Sequence, residues 1–236
     1  MPVPPDAFLA RLWNERASAI LRCDDPVTAK IAMEAAVEGG FRVIEFTMTI
    51  PGAPDLIAEF AARPDLVVGA GTVLRPDVVD AVVAAGASFV VSPVCDEAVI
   101  ARCREHGVVA MPGCATPTEL ATAHRAGAQL QKLFPCPAGG PSFLRSVMGP
   151  MPFLRIVPTN GVDEHDVGQW LDAGAYAVGY VRTLFEPDAL ARRDAGRIAA
   201  RARTLLAATR APSRAQTPPV APDPFEAGGT RPASGR

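Results

Sequence analysis

Lysine is almost missing from this chain: Lys30 and Lys132 stand against twenty-one arginines in 236 residues. Arginine therefore carries the ordinary surface charge, and each lysine needs its own explanation. Basic clusters are missing too. The formal net charge is -2, whereas binding a phosphate backbone takes a concentrated Lys/Arg footprint, so nucleic acid is excluded and small molecules are the expected partners. The five cysteines form no CxxC pair, and His106, His124 and His165 stand too far apart for a local ligand motif. A metal site is not expected, and the three histidines read as surface or capping residues. Gly and charged residues interrupt every long apolar run, which excludes a membrane-spanning helix. The opening MPVPPDAFLARLWNER carries no leader signature, so a cytoplasmic location is expected.

What is present is a repeated unit. Apolar, β-rich runs lie at 43–48, 66–73, 88–93, 108–114, 130–135, 154–159 and 176–181, and a short run at 19–21 makes eight. Ala-rich helical stretches fill the gaps. Several close on glycine just before the next strand (Gly39 and Gly40, Gly86, Gly107, Gly127, Gly174), and helix starts are marked by Pro51, Pro76, Asp96, Thr116 with Pro117, and Asp163. Strand, loop, helix and glycine recurring about every twenty residues imply a parallel sheet covered by helices. Eight strands favour a closed (β/α)8 TIM barrel over 1–208, with a short N-terminal helix. A doubly wound open sheet shares the local pattern, but no dinucleotide fingerprint follows the first strand. From residue 209 the chain turns to Pro, Ala, Gly and Ser, and 209–236 reads as a disordered tail.

Lys30 is explained by an ion pair with Glu34 one helical turn on. Lys132 is not so easily dismissed. In QLQKLFP, alternation puts Leu130, Lys132 and Phe134 on one face and Gln131 and Leu133 on the other. A barrel turns the first set inward, where desolvation lowers the amine's pKa and frees it to attack a carbonyl. Arginine, always protonated, cannot do this. Gln131 would then face the helix layer, an unusual place for an amide. In RVIEFTM the same alternation turns Glu45 inward, and a buried carboxylate needs a partner or a task. Both residues fall near the C-terminal strand ends, where such barrels build their sites.

The segments RVIEFTM, VVGAGTVL, FVVSP, VVAMPGCATPTEL, QKLFP and NGV, in that order, resemble the 2-keto-3-deoxy-6-phosphogluconate / 4-hydroxy-2-oxoglutarate aldolases over residues 41–185. The context of PGCAT and RAGAQ is closest to the 6-phosphogalactonate branch. The resemblance implies a class I aldolase needing no metal or cofactor. Lys132 would form a Schiff base with a 2-oxo acid, and Glu45 would move protons through C–C cleavage to pyruvate and an aldehyde, glyceraldehyde 3-phosphate or glyoxylate. It further implies that Thr72 contacts the pyruvate carboxylate, that Pro93 and Phe134 wall the pocket, and that the chain forms a homo-oligomer, typically a trimer.

Two departures bear on the substrate. Where many members have a carboxylate-gripping arginine four residues after the glutamate, Thr49 stands here; its hydroxyl can donate a hydrogen bond but no bidentate pair. Arg22, at the end of the first strand, is the candidate replacement. The phosphate cradle is altered as well, reading Asn160-Gly161 and Gly179-Tyr180-Val181-Arg182. Backbone N–H groups at Gly161 and Gly179 and the Arg182 side chain remain as candidate anion contacts. The alternative reading is an altered barrel that binds a 2-oxo acid or phosphate ligand without aldol turnover.

Overall fold

Strands alternating with helices leave little freedom of topology, because parallel neighbours require a right-handed crossover. The computed structural model describes residues 2–211. Helix α1 (Pro5–Glu15) leads into β1 (Ala17–Leu21), α2 (Pro26–Glu38), β2 (Val43–Thr47), α3 (Ala53–Ala61), β3 (Val67–Gly71), α4 (Pro76–Ala84), β4 (Phe89–Ser92) and α5 (Glu97–Glu105). Then follow β5 (Val109–Cys114), α6 (Pro117–Arg125), β6 (Gln131–Leu133), α7 (Gly140–Met148), β7 (Ile156–Pro158), α8 (Val167–Asp172), β8 (Val178–Tyr180), α9 (Pro187–Ala191) and α10 (Ala195–Arg210). Neighbouring strands run β7-β6-β5-β4-β3-β2-β1-β8, all parallel. A bridge from Thr159 to Gly179 and the hydrogen bond from the Tyr176 N–H to the Ile156 carbonyl, 2.8 Å long, close the ring. The fold is the expected (β/α)8 barrel.

Alternation divides the core in two. Outward residues such as Ile44, Val68, Val90 and Leu133 pack beneath the helices. Inward Val43, Val67, Phe89, Val109 and Leu130 fill the N-terminal end of the barrel together with Phe8, Leu9 and Leu12 of α1. Phe8 stacks on Phe89 with ring centroids 4.6 Å apart, and the Tyr176 hydroxyl donates to the Leu9 carbonyl at 2.9 Å. Burying Phe8 and Leu12 contributes about 1.5–3 kcal/mol each. The short N-terminal helix is therefore a plug at that end of the barrel, opposite the C-terminal mouth.

Local signals set the helix ends. Asp96 accepts from the Ala98 and Val99 N–H groups, Thr116 and Glu119 form a reciprocal capping box, and Gly86 and Gly174 leave α4 and α8 at φ 105° and 104°, a region closed to most side chains. Two expected starts are displaced. Pro51 lies in a turn and α3 begins at Ala53, after left-handed Gly52; Asp163 opens a turn whose helix proper starts at Val167. The domain boundary also moves. Helix α10 continues through Arg210 because Thr209 is buried and its hydroxyl bonds Tyr180 Oη at 2.8 Å. The remainder of the expected tail, 212–236, lies outside the described residues.

Lys30 does not pair with Glu34. Arg63 takes that carboxylate at 2.9 Å, and Lys30 reaches across to Glu59 of α3 at 2.5 Å. Gln131 does face the helix layer, fully buried, and its amide has a structural use. Its Nε2 donates to the Ala128 carbonyl at 2.9 Å and its Oε1 accepts from the Arg155 N–H at 3.1 Å, satisfying two backbone groups at the feet of β6 and β7. Among the described residues no helix is long and apolar enough to cross a membrane.

Candidate active site

With α1 closing one end, the upper barrel forms a cavity of about 1100 Å³ at the C-terminal mouth. Space for it comes from inward positions that carry no side chain. On β3 the inward residues are Val67, Gly69 and Gly71. A Cβ on Gly69 would lie 2.4 Å from the Phe89 ring, and one on Gly71 would lie 1.8 Å from Glu45 Oε1. Phe89 thus fills the floor across Gly69, and the Glu45 carboxylate lies against Gly71. Gly113, paired with Lys132 across β5 and β6, lets the Pro93 backbone approach: a Cβ there would meet the Pro93 carbonyl at 2.4 Å.

Lys132 is inward, as alternation requires, and 7% exposed, with Nζ 4.8 Å from the centroid of the Phe134 ring. Burial lowers its pKa from the ordinary 10.5; Glu45 opposes the shift and Arg22 adds to it. Glu45 projects from β2 into the same cavity at 1% exposure, and neither carboxylate oxygen has a hydrogen-bond partner among the described residues. Burial raises its pKa from the ordinary 4.5, against the opposing charges of Lys132 and Arg22. Amine and carboxyl are thus driven toward each other in proton affinity. A buried base beside a buried acid is suited to forming and breaking bonds at a carbonyl.

Thr72 follows β3 in a left-handed conformation, φ 60°, and its hydroxyl accepts from Arg22 Nη2 at 2.9 Å. Such a φ is strained for a β-branched residue and marks positions that the surrounding structure holds in place. Arg22, Thr72, Pro93 and Phe134 all line the cavity, as do Asn160 and Arg182.

Three expected contacts are not on the wall. Thr49 is exposed in the turn after β2, where strand parity no longer applies; its hydroxyl bonds at 2.8 Å to Thr47, the residue that lines the cavity. Gly161, exposed and at φ 116°, turns the chain over Cys136, and its neighbour Asn160 lines the cavity instead. Gly179 belongs to the closing bridge of the barrel, packed where a Cβ would lie 2.7 Å from Ile20 and Thr159. Sequence reasoning also missed Ile20, Thr47 and Thr159. All three continue the inward parity of their strands, so counting in twos beyond Glu45 finds Thr47. Arg192 and Arg193, after α9, line the cavity too, but no strand pattern reaches them.

Among the described residues no group of three or more His, Cys, Asp or Glu side chains could hold a metal ion. His106 bonds Asp80 at 2.6 Å, His124 packs on Phe153, and His165 is exposed.

Comparison with known proteins gives a consistent result. The family model described as KDPG and KHG aldolase matches residues 10–201. The chain is 33% identical to the 2-dehydro-3-deoxy-6-phosphogalactonate aldolase of Escherichia coli (strain K12) over 187 residues, 77% of this chain and 90% of that one. It is 34% identical to the KHG/KDPG aldolase of the same organism, across 81% and 95% of the two chains. Among solved structures, native KDPGal aligns with a TM-score of 0.74 and 32% identity, covering 82% of this chain and 94% of that one. A KDPG aldolase from Legionella pneumophila, with pyruvate captured as a covalent carbinolamine intermediate, aligns with a TM-score of 0.76 and 25% identity, covering 84% and 97%.

Proposed function

The chain belongs to the KDPG and KHG aldolase family, and on that premise we propose that it is a class I aldolase whose Schiff-base lysine is Lys132 and whose proton carrier is Glu45. The substrate is a 2-keto-3-deoxy acid with an anionic far end, a 6-phospho sugar acid of the phosphogalactonate type or 4-hydroxy-2-oxoglutarate. The observation that carries this reading is one buried amine, lowered in pKa, sharing a single cavity with one buried carboxyl that is raised.

The neutral amine adds to the C2 carbonyl, and loss of water from the carbinolamine leaves a protonated imine. Removal of the C4 hydroxyl proton lets the C3–C4 bond break, its electron pair passing into the imine as an enamine while the aldehyde departs. Protonation at C3 and hydrolysis return pyruvate and the free amine. Glu45 carries these protons. Each electron pair moves within substrate and imine, so the sequence balances without a metal or cofactor.

Arg22 and Thr72, bonded to each other at the cavity mouth, receive the C1 carboxylate. Arg22 supplies the charge that Thr49 lacks. Phe134 and Pro93 flank the imine. The homotrimer implied by the resemblance forms part of this proposal, and a monomeric mass in light scattering would refute it.

Borohydride reduction with pyruvate tests the chemistry. The expected result is a reduced pyruvate adduct on Lys132, absent in Lys132→Arg. Pyruvate binding without any adduct in the wild type would instead favour a barrel that binds a 2-oxo acid and does not turn it over.

A further inference from the structure

The chain leaves β8 through Val181, an apolar residue that lines the cavity. The wall beyond it is built from guanidinium groups. Arg182 follows Val181, and the corner between α9 and α10 brings Arg192 and Arg193 to the same cavity.

The corner is fixed by its own bonds. Arg193 is left-handed at φ 50°, and its side chain donates to Thr28 Oγ1 at 3.0 Å and Asp25 Oδ2 at 3.1 Å, the residues that start α2. Its charge is thereby committed to Asp25. Of the other arginines on the wall, Arg22 donates to Thr72, whereas Arg182 and Arg192 have no ion-pair partner among the described residues.

We propose that Arg192, held at the mouth by the Arg193–Asp25 anchor and acting with Arg182, grips the far anionic end of the substrate and sets the preference for it. The inference rests on the aldolase reading and deepens it. A guanidinium fork matches phosphate and carboxylate alike, and Arg182 and Arg192 bring two such groups to one cavity.

The test compares kcat/KM for three 2-keto-3-deoxy acids, ending in a phosphate, a carboxylate and a neutral hydroxymethyl group, in wild type, Arg192→Gln and Arg182→Gln. The expected result is a fall of about tenfold to a hundredfold in the ratio of anion-ended to neutral-ended turnover, expressed in KM, the range for losing a charged hydrogen bond. A fall confined to the phosphate arm assigns phosphate as the far group; a fall confined to the carboxylate arm assigns carboxylate. Ratios within threefold of wild type in both variants overturn the proposal while leaving the aldolase reading intact. Absence of a borohydride-trapped pyruvate adduct in the wild type overturns both.

Discussion

Gly71→Ala adds one methyl group at the point where the barrel leaves room for a carboxylate. The new Cβ would lie 1.8 Å from Glu45 Oε1 and 2.7 Å from its Cδ, and ordinary contact begins near 3.4 Å, so the carboxylate must move by about 1.6 Å. Gly71 has no positive φ, so alanine suits the backbone and the conflict is confined to Glu45. Misplacing a catalytic group by about 1 Å can cost on the order of a hundredfold in rate. The variant should therefore fold, with an overpacking cost of about 1–3 kcal/mol, and lose at least about a hundredfold in kcat.

The assay is pyruvate release from the substrate ladder above, normalised to folded protein by thermal melting. Gly69→Ala is the control. Its Cβ would press on the Phe89 ring at 2.4 Å, on the barrel floor and away from the carboxylate, so it should lower Tm more than it lowers turnover per folded molecule. If Gly71→Ala keeps kcat within threefold of wild type while folded, the Glu45 carboxylate does not act from its position over β3, and the proton-carrier role is wrong.

Other perturbations test other parts of the argument. Glu45→Gln should lower turnover by about 10²–10⁴-fold, the usual range for losing general acid–base help, read as the rate of pyruvate release. The charge of Arg22 lowers the pKa of both Lys132 and Glu45, so Arg22→Gln should raise both. The acid limb of the rate profile, where Lys132 gains its proton, and the alkaline limb, where Glu45 loses its own, should both move to higher pH; limbs that separate or move down would contradict this account. Gln131→Leu leaves the Ala128 carbonyl and Arg155 N–H buried without partners, costing about 2–4 kcal/mol and lowering Tm by on the order of 10 °C. Circular dichroism melts that coincide with wild type would show that water takes over those bonds.

The sequence carried the barrel well because two simple periods govern it. Parity in twos placed Lys132, Glu45 and Phe134 inward, and glycine placed the helix ends. Thr49 was singled out because it stands four residues after Glu45, where the resembling family carries an arginine, but the strand ends at Thr47 and Thr49 is exposed in the turn beyond it. Sequence reasoning failed again at Gly161 and Gly179, where the fold uses glycine to pass a turn and to close a strand rather than to line a site. Lys30 shows a related limit: spacing on one helix suggested Glu34, but α3 offers Glu59 and its following turn supplies Arg63. Contacts between elements decide such pairs. Arg192 and Arg193 were invisible for the same reason, since only the closed ring carries α9 back over the first strand's end.

Burial usually counts against charged groups, and here it acts on two of opposite sign within one cavity. Removing water makes the ammonium less favourable and the carboxylate less favourable together, so a neutral amine beside a neutral acid becomes accessible where water would hold both as ions. The mutual attraction named in both shifts opposes that outcome, so the two effects pull the pair in opposite directions, and groups coupled in this way titrate as a pair. That balance is what a reaction alternating between a nucleophilic amine, a proton donor and a proton acceptor requires. It depends on Glu45 having no hydrogen-bond donor to fix its charge, a condition that β3 supplies by presenting only glycine against the carboxylate. The GAG of the third strand, an unremarkable string by itself, thereby makes the room in which a carboxyl group of the second is buried.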